Sequence, residues 1–249
     1  MSEKRHPDEP LLRGYAVTHP SGRTALPVHP GWDRLVYTAA GTLSVRAGAR
    51  LWTVPPHRAL WLPDGVPAAM RNRYPAAVRV LYFAVRLGAA GAEPGIVMLT
   101  GFPRELLLHV VRVCPLDDAD RSRAAVLTVL LDQLRELPAA DLALAVPRDP
   151  DTARAADLLR TEPWLATGAV AGAVGLSVRT LERRFRAETG MTLGAWRRRA
   201  RILDTLEPLA AGVSVTRAAA DAGYSTPSAF VAAFTRELGT PPGGFLRSG

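Results

Sequence analysis

Between positions 179 and 201 the chain carries eight arginines, Arg179, Arg183, Arg184, Arg186, Arg197, Arg198, Arg199 and Arg201, against two acids, Glu182 and Glu188. That local charge of +6 is the kind of stripe that meets a phosphate backbone. Arg179, Arg183 and Arg186 recur at helical spacing, so in a helix they share one face, while Leu181 and Phe185 occupy the opposite one. Arginine presents a planar fork of donors that grips a phosphate or pairs bidentately with a guanine edge. With 30 arginines and one lysine in the whole chain, some of this arginine is compositional. Its coincidence with helical spacing favours nucleic-acid contact over a merely solvated face. Competing chemistry is missing from the sequence, which contains no Gly-x-Ser-x-Gly, no P-loop and no His-Glu-x-x-His.

The elements that must position this stripe are written twice. The first copy reads Ala171-x3-Gly175-Leu176-Ser177, then Phe185-x2-Glu188-x-Gly190-x3-Gly194-x-Trp196-x-Arg198. The second reads Ala219-x3-Gly223-Tyr224-Ser225, then Phe234-x2-Glu237-x-Gly239-x3-Gly243-x-Phe245-x-Arg247. A supersecondary unit repeated at such spacing is read first. Each copy predicts a short helix, a sharp turn at Gly175 or Gly223, and a second helix. Ser177 is expected to cap the second helix of the first copy, and Ser225 or Thr226 that of the second, with Pro227 tolerated in the first turn. Leu181/Phe185 and Phe230/Phe234 are the expected buried stripes. This is a helix-turn-helix layout, whose second helix enters the DNA major groove. Thr192 to about Leu206 predicts one connecting helix, about 22 Å long. Pro208 is expected to end or kink it.

Together these residues resemble the DNA-binding domain of AraC-type transcription regulators, over roughly the last 85 residues. The resemblance implies base reading by Arg179, Glu182 and Arg183 in the first copy and by Pro227, Ser228, Val231 and Ala232 in the second. Ala232 departs from the family, which often has arginine there. Ser177, Arg186, Arg198, Arg201, Thr226 and Arg236 complete the candidate DNA-binding set.

The preceding 150 residues predict a different architecture. Residues from about Leu11 to Leu87 read as strands, in short segments such as 34–38, 42–46, 50–54, 59–62 and 79–85 separated by Gly, Pro and Asp, which indicates a β-barrel or sandwich. The run from Val54 to Pro67, with Pro63-x-Gly65 as its turn, resembles the second motif of a cupin barrel, and a sensor cupin ahead of this DNA-binding domain is a common family layout. Ala68 stands where related sequences often carry His, His29 lacks a His-x-His partner, and His57 is expected in an exposed turn, so no metal centre and no cofactor are expected. Trp32, Tyr37, Trp52, Arg58, Trp61 and Tyr82 are the candidate ligand contacts, although small barrels usually fill their interior.

Residues 102–113 and 120–137 predict helices. Leu127, Leu130, Leu131, Leu134 and Leu137 form a stripe for packing within the chain or against a second copy. The expected division is a sensor domain over 1–137, a linker over 138–150 and a double helix-turn-helix over 151–249, an α+β two-domain fold. The single Cys114, the polar start and the lack of a long apolar run fit a reduced cytoplasm. The chain is expected to be a sequence-specific transcription regulator and not an enzyme. Expected partners are double-stranded DNA, a small-molecule effector, RNA polymerase and a second copy of the chain, with no membrane. Two rivals are a metal-dependent cupin enzyme fused to a DNA-binding domain and a ligand-independent architectural DNA binder.

Overall fold

Alternating apolar and polar residues over the first hundred positions build two antiparallel sheets in the computed structural model, which describes residues 9–89 and 91–246. Arg247, the last residue of the second repeat, lies outside them. One sheet, in the order β1 (Leu12–His19), β8 (Ala76–Ala84), β3 (Trp32–Ala40), β6 (Arg58–Leu62), β9 (Gly95–Met98) and β10 (Ala139–Ala140), forms the outer layer. The other, β11 (Ala143–Ala145), β5 (Arg50–Val54), β4 (Leu43–Ala47), β7 (Ala68–Asn72) and β2 (Gly22–Leu26), faces the C-terminal domain. The five expected strands are present as β3, β4, β5, β6 and β8. Four more, β1, β2, β7 and β9, carry Gly, Arg or Ala at positions where a strand pattern needs apolar residues, and their ladder partners hold them instead.

Burial follows position. Strand β3 is buried without a break from Trp32 to Thr38, because both of its faces are covered. The second sheet covers one, and α1 (Gly101–Val113) lies over the other, where Arg104 Nε donates to the Tyr37 hydroxyl at 3.2 Å. Helix α2 (Arg121–Glu136), capped by Asp120, buries Leu127, Leu130, Leu131 and Leu134 inside the chain. Thus most of the leucine stripe is already covered within one copy. The segment expected as a linker supplies an edge strand to each sheet: β10 pairs with β9 and β11 with β5.

The C-terminal domain is all helical: α3 (Pro150–Thr161), α4 (Thr167–Ala173), α5 (Val178–Thr189), α6 (Leu193–Ala210), α7 (Val215–Asp221), α8 (Pro227–Leu238) and α9 (Pro242–Phe245). The whole is a two-domain α+β fold, with a cupin-like double sheet ahead of a helical domain. Pro208 does not end α6, which runs on to Ala210. The proline removes an N–H only in the last turn, and the amides of Ala211 and Val213 fold back onto its carbonyl. Phe185 and Phe234 are fully buried, each in its own module: Phe185 meets Trp196 edge-on at 5.2 Å, and Phe234 lies between Phe230 and Phe245, both at 5.7 Å. Removing either ring leaves a cavity that a three-helix module cannot close. Phe185→Ala and Phe234→Ala should each cost about 3–5 kcal/mol, read as a lowered thermal midpoint of the full chain; two unshifted midpoints would contradict the two-core arrangement.

Candidate nucleic-acid interface

The first module is fixed by its turn. Gly175 takes φ +68°, a conformation open to glycine and strained for other residues, and it lets the Leu176 amide return to the carbonyl of Ala171. The Ser177 hydroxyl accepts the Thr180 amide at 3.2 Å and caps α5. Behind that cap, Leu181 and Phe185 face inward, and Arg179, Glu182, Arg183 and Arg186 stand exposed. None of the three arginines has an ion-pair partner among the described residues. In the second module Gly223 takes φ +76° and Thr226, rather than Ser225, is the cap, accepting the Ala229 amide at 3.2 Å. Pro227, Ser228, Ala232 and Arg236 of α8 are exposed, and Val231 is half-buried.

Four other arginines of the stripe serve the scaffold. Arg184 faces Asp149 and Asp151 at 3.9 and 3.5 Å. Arg199, with only 12% of its side chain exposed, donates to the carbonyls of Ala143 and Asp141 and to the carboxylate of Glu237 at 2.7 Å. Arg197 donates to the carbonyl of Pro163. Arg201, expected among the DNA contacts, is half-buried behind the second turn, where a Cβ on Gly223 would lie 3.6 Å from its Nη2. Arg198 stays exposed.

The glutamate shared by both repeats has a structural role that spacing alone did not reveal. Glu188 accepts the amides of Arg148 and Asp149 at 2.7 and 2.9 Å and the Thr152 hydroxyl at 2.6 Å, so it closes the start of α3. Burial pushes its carboxyl up, but these three donors outweigh that and hold it below the ordinary glutamate value. Glu237, its counterpart, receives Arg199 from α6. The recurrence of Phe-x2-Glu was the available signal, since an acid three residues beyond a buried aromatic points to the neighbouring helix.

In the sheets, strand register distributes the six candidate ligand residues. Arg34 pairs with Tyr82 and Leu35 with Trp61, so Trp32, Arg34 and Tyr82 share one face, and Tyr37 and Trp61 the other. All six side chains are buried. Tyr37 is held by Arg104, and the Trp61 indole donates to the carbonyl of Gly91 at 2.8 Å. The structure therefore does not bring the six together. Thr38 Oγ1, Trp52 Nε1 and Arg58 Nε are buried without a partner. His57 is not an exposed turn residue: it is half-buried at φ +63° with Nδ1 covered, and burial followed by Arg104 and Arg58 lowers its pKa. No group of three or more potential metal ligands occurs among the described residues. Burial pushes the Cys114 thiol up to about 11, which keeps it protonated. No helix among the described residues is long and apolar enough to cross a membrane.

Residues 170–248 match the family model described as "Helix-turn-helix domain", which covers both turns and both second helices. The chain is 27% identical over 252 residues to the HTH-type transcriptional regulator NimR of Escherichia coli strain K12, covering 94% of this chain and 92% of that protein. Among solved structures, unsaturated fatty acid-bound ToxT from Vibrio cholerae strain SCE256 aligns with 99% of this chain and 98% of its own at 11% identity and a TM-score of 0.40. The C-terminal domain of AraT, a response regulator from Geobacillus stearothermophilus, aligns with 41% of this chain and 87% of its own at 23% identity and a TM-score of 0.38.

The Glu188 cap makes a prediction about pH. An acid whose folded pKa is depressed contributes stability above its unfolded value and loses it as pH falls through the folded one. Glu188→Gln should be less stable than the parent at pH 7, and the difference should shrink as pH drops below about 4.5. Urea unfolding of both proteins at pH 7 and pH 3.5 checks this, and a gap that persists or widens in acid would contradict it.

Proposed function

We propose that this chain, an AraC-type DNA-binding transcription regulator, reads an asymmetric site through two unequal modules. The observation that carries the reading is the contrast between the two exposed helix faces. Helix α5 presents Arg179, Glu182, Arg183 and Arg186, whereas α8 presents Pro227, Ser228 and Ala232 before its first charge at Arg236. Arginine pairs bidentately with guanine, and Glu182 can accept from a cytosine amino group. On α8, Ser228 can hydrogen-bond a base edge, and Val231 or Ala232 can touch a thymine methyl, which specifies less. Arg198, Arg236 and the amides near Ser177 and Thr226 would hold phosphates and set register without reading sequence. Helix α6 fixes the spacing of the two, suited to successive major-groove segments about 34 Å apart.

In this reading residues 1–137 form the sensor, 138–150 the joint and 151–249 the DNA-binding unit. The unpartnered Thr38, Trp52 and Arg58 atoms support an effector with hydrogen-bonding groups inside the double sheet. Exposed Phe102, Val113 and Val129 on α1 and α2 support pairing with a second copy. Elemental analysis of purified protein tests the fused-enzyme alternative directly, since that alternative requires bound metal.

Selection of binding sites from a randomised duplex library should return one sharply specified block and one degenerate block per monomer, about a turn apart. Two equally informative blocks would overturn the assignment of contacts on α8. Arg183→Ala should weaken binding to the selected site by about 1–3 kcal/mol and relax preference at one position. Equal losses on selected and random DNA, measured by titration at fixed salt, would reduce Arg183 to a phosphate contact.

A further inference from the structure

The outer sheet has one edge where a cation lies unpaired among aromatic rings. Strand β1 is the edge strand, and register places Arg13 beside Tyr82 and Tyr82 beside Arg34 on a single face. The Arg13 guanidinium carbon sits 4.2 Å from the centre of the Trp32 ring and 5.2 Å from that of Tyr82. His29 meets Tyr82 edge-on at 5.1 Å, and Tyr15 lies 6.2 Å from Tyr82. Between them is a cleft of about 250 Å³ lined by Arg13, Gly14, Tyr15, His29 and Tyr82. No carboxylate or carbonyl among the described residues takes the donors of Arg13. Arg34, 1% exposed beside Tyr82, directs its two terminal nitrogens at the carbonyls of Leu26, Pro27 and Val66, and its Nε is buried without a partner.

We propose that this cleft binds a small planar carboxylate, with Arg13 as the anchoring cation. It rests on the reading that the sensor domain takes a small molecule, and it names the chemical class at a site that shares only Trp32 and Tyr82 with the interior candidates. Contact with the Trp32 and Tyr82 rings restrains the guanidinium, so less freedom is lost when a bidentate acceptor binds. The Tyr15 hydroxyl stays a donor throughout the physiological range, because burial, and then Tyr82, push its pKa up to about 12. Three aromatic walls match a flat ligand, and the volume falls below the range of drug-sized pockets, which points to a single ring bearing one acid group. Inorganic phosphate fits less well, since only one guanidinium with free donors faces the opening and the aromatic walls would go unused.

Calorimetric titration of the full chain with phenylacetate, phenylacetamide and inorganic phosphate tests the assignment without DNA. Phenylacetate should bind at least tenfold more tightly than either of the others. Arg13→Gln should weaken phenylacetate at least tenfold, with an unchanged thermal midpoint showing that the fold survives. Tyr15→Phe, which removes only a hydroxyl, should weaken it a few-fold and serves as the test if Arg13→Gln proves unstable. Equal binding of the acid and the amide, phosphate binding as tightly as phenylacetate, full affinity in a folded Arg13→Gln, or, where that variant does not fold, full affinity in Tyr15→Phe would overturn the proposal. Binding to the selected duplex, measured on the same preparations, is a separate readout. A chain that holds the duplex and ignores phenylacetate refutes the cleft and leaves the DNA reading intact.

Discussion

Trp196 is the point through which the two domains and the first module are tied together. Its ring is fully buried, its edge meets Phe185 of the first module, and its indole N–H donates at 2.6 Å to the carbonyl of Ala145 in β11. A buried indole needs an acceptor for its one donor, and the acceptor here belongs to an edge strand of the second sheet. The connecting helix α6 cannot therefore pack its own module without also docking on the sheet. One turn further, Arg199 reaches Ala143 and Asp141 of the joint and Glu237 of the second module. A single helix thus holds both modules against the double sheet.

The rest of that joint is electrostatic and only partly dry. The outward face of the second sheet carries Arg23, Arg46, Arg71 and Arg73, opposite Asp157, Asp204 and Glu207, around a cleft of about 530 Å³ that also contains Arg160. Arg160 and Asp204 form two hydrogen bonds at 3.0 and 2.6 Å within the helical domain, and Glu207 accepts the backbone amide of Arg73 across the boundary. Burial raises the Glu207 pKa, and the Arg73 and Tyr74 amides offset only part of that cost. Arg58 adds a cation–π contact, lying 4.9 Å from the ring of Phe245 in the second module. The first domain and the second module therefore meet through a charged side chain that has an unpartnered nitrogen.

Arginine has three separate roles in this chain, and composition does not distinguish them. Arg179, Arg183, Arg186 and Arg198 extend into solvent from the helical domain. Arg184 and Arg199 are held by carboxylates, and Arg13 and Arg58 lie on aromatic rings. The difference lies in what the rest of the fold brings within about 4 Å of each guanidinium.

The helical domain was legible because its determinants are local. Glycine at a positive-φ turn, a hydroxyl at a cap and two apolar residues four apart all act within a few positions, so the repeat alone specified both modules, their buried phenylalanines and the exposed face of α5. Strands β3, β4, β5, β6 and β8 were legible for the same reason. Long-range partners decided the rest. Strands β1, β2, β7 and β9 exist because a neighbour supplies their ladder, and residues 139–145 became edge strands because β5 and β9 had open sides. Glu188 and Glu237 found their donors 36 and 38 residues away in sequence. The two-sided distribution of Tyr37, Trp61, Tyr82 and Trp32, and the cage around Arg13, follow from register. A sequence carries the types of such residues, but which face each one shares is set only when the strands pair.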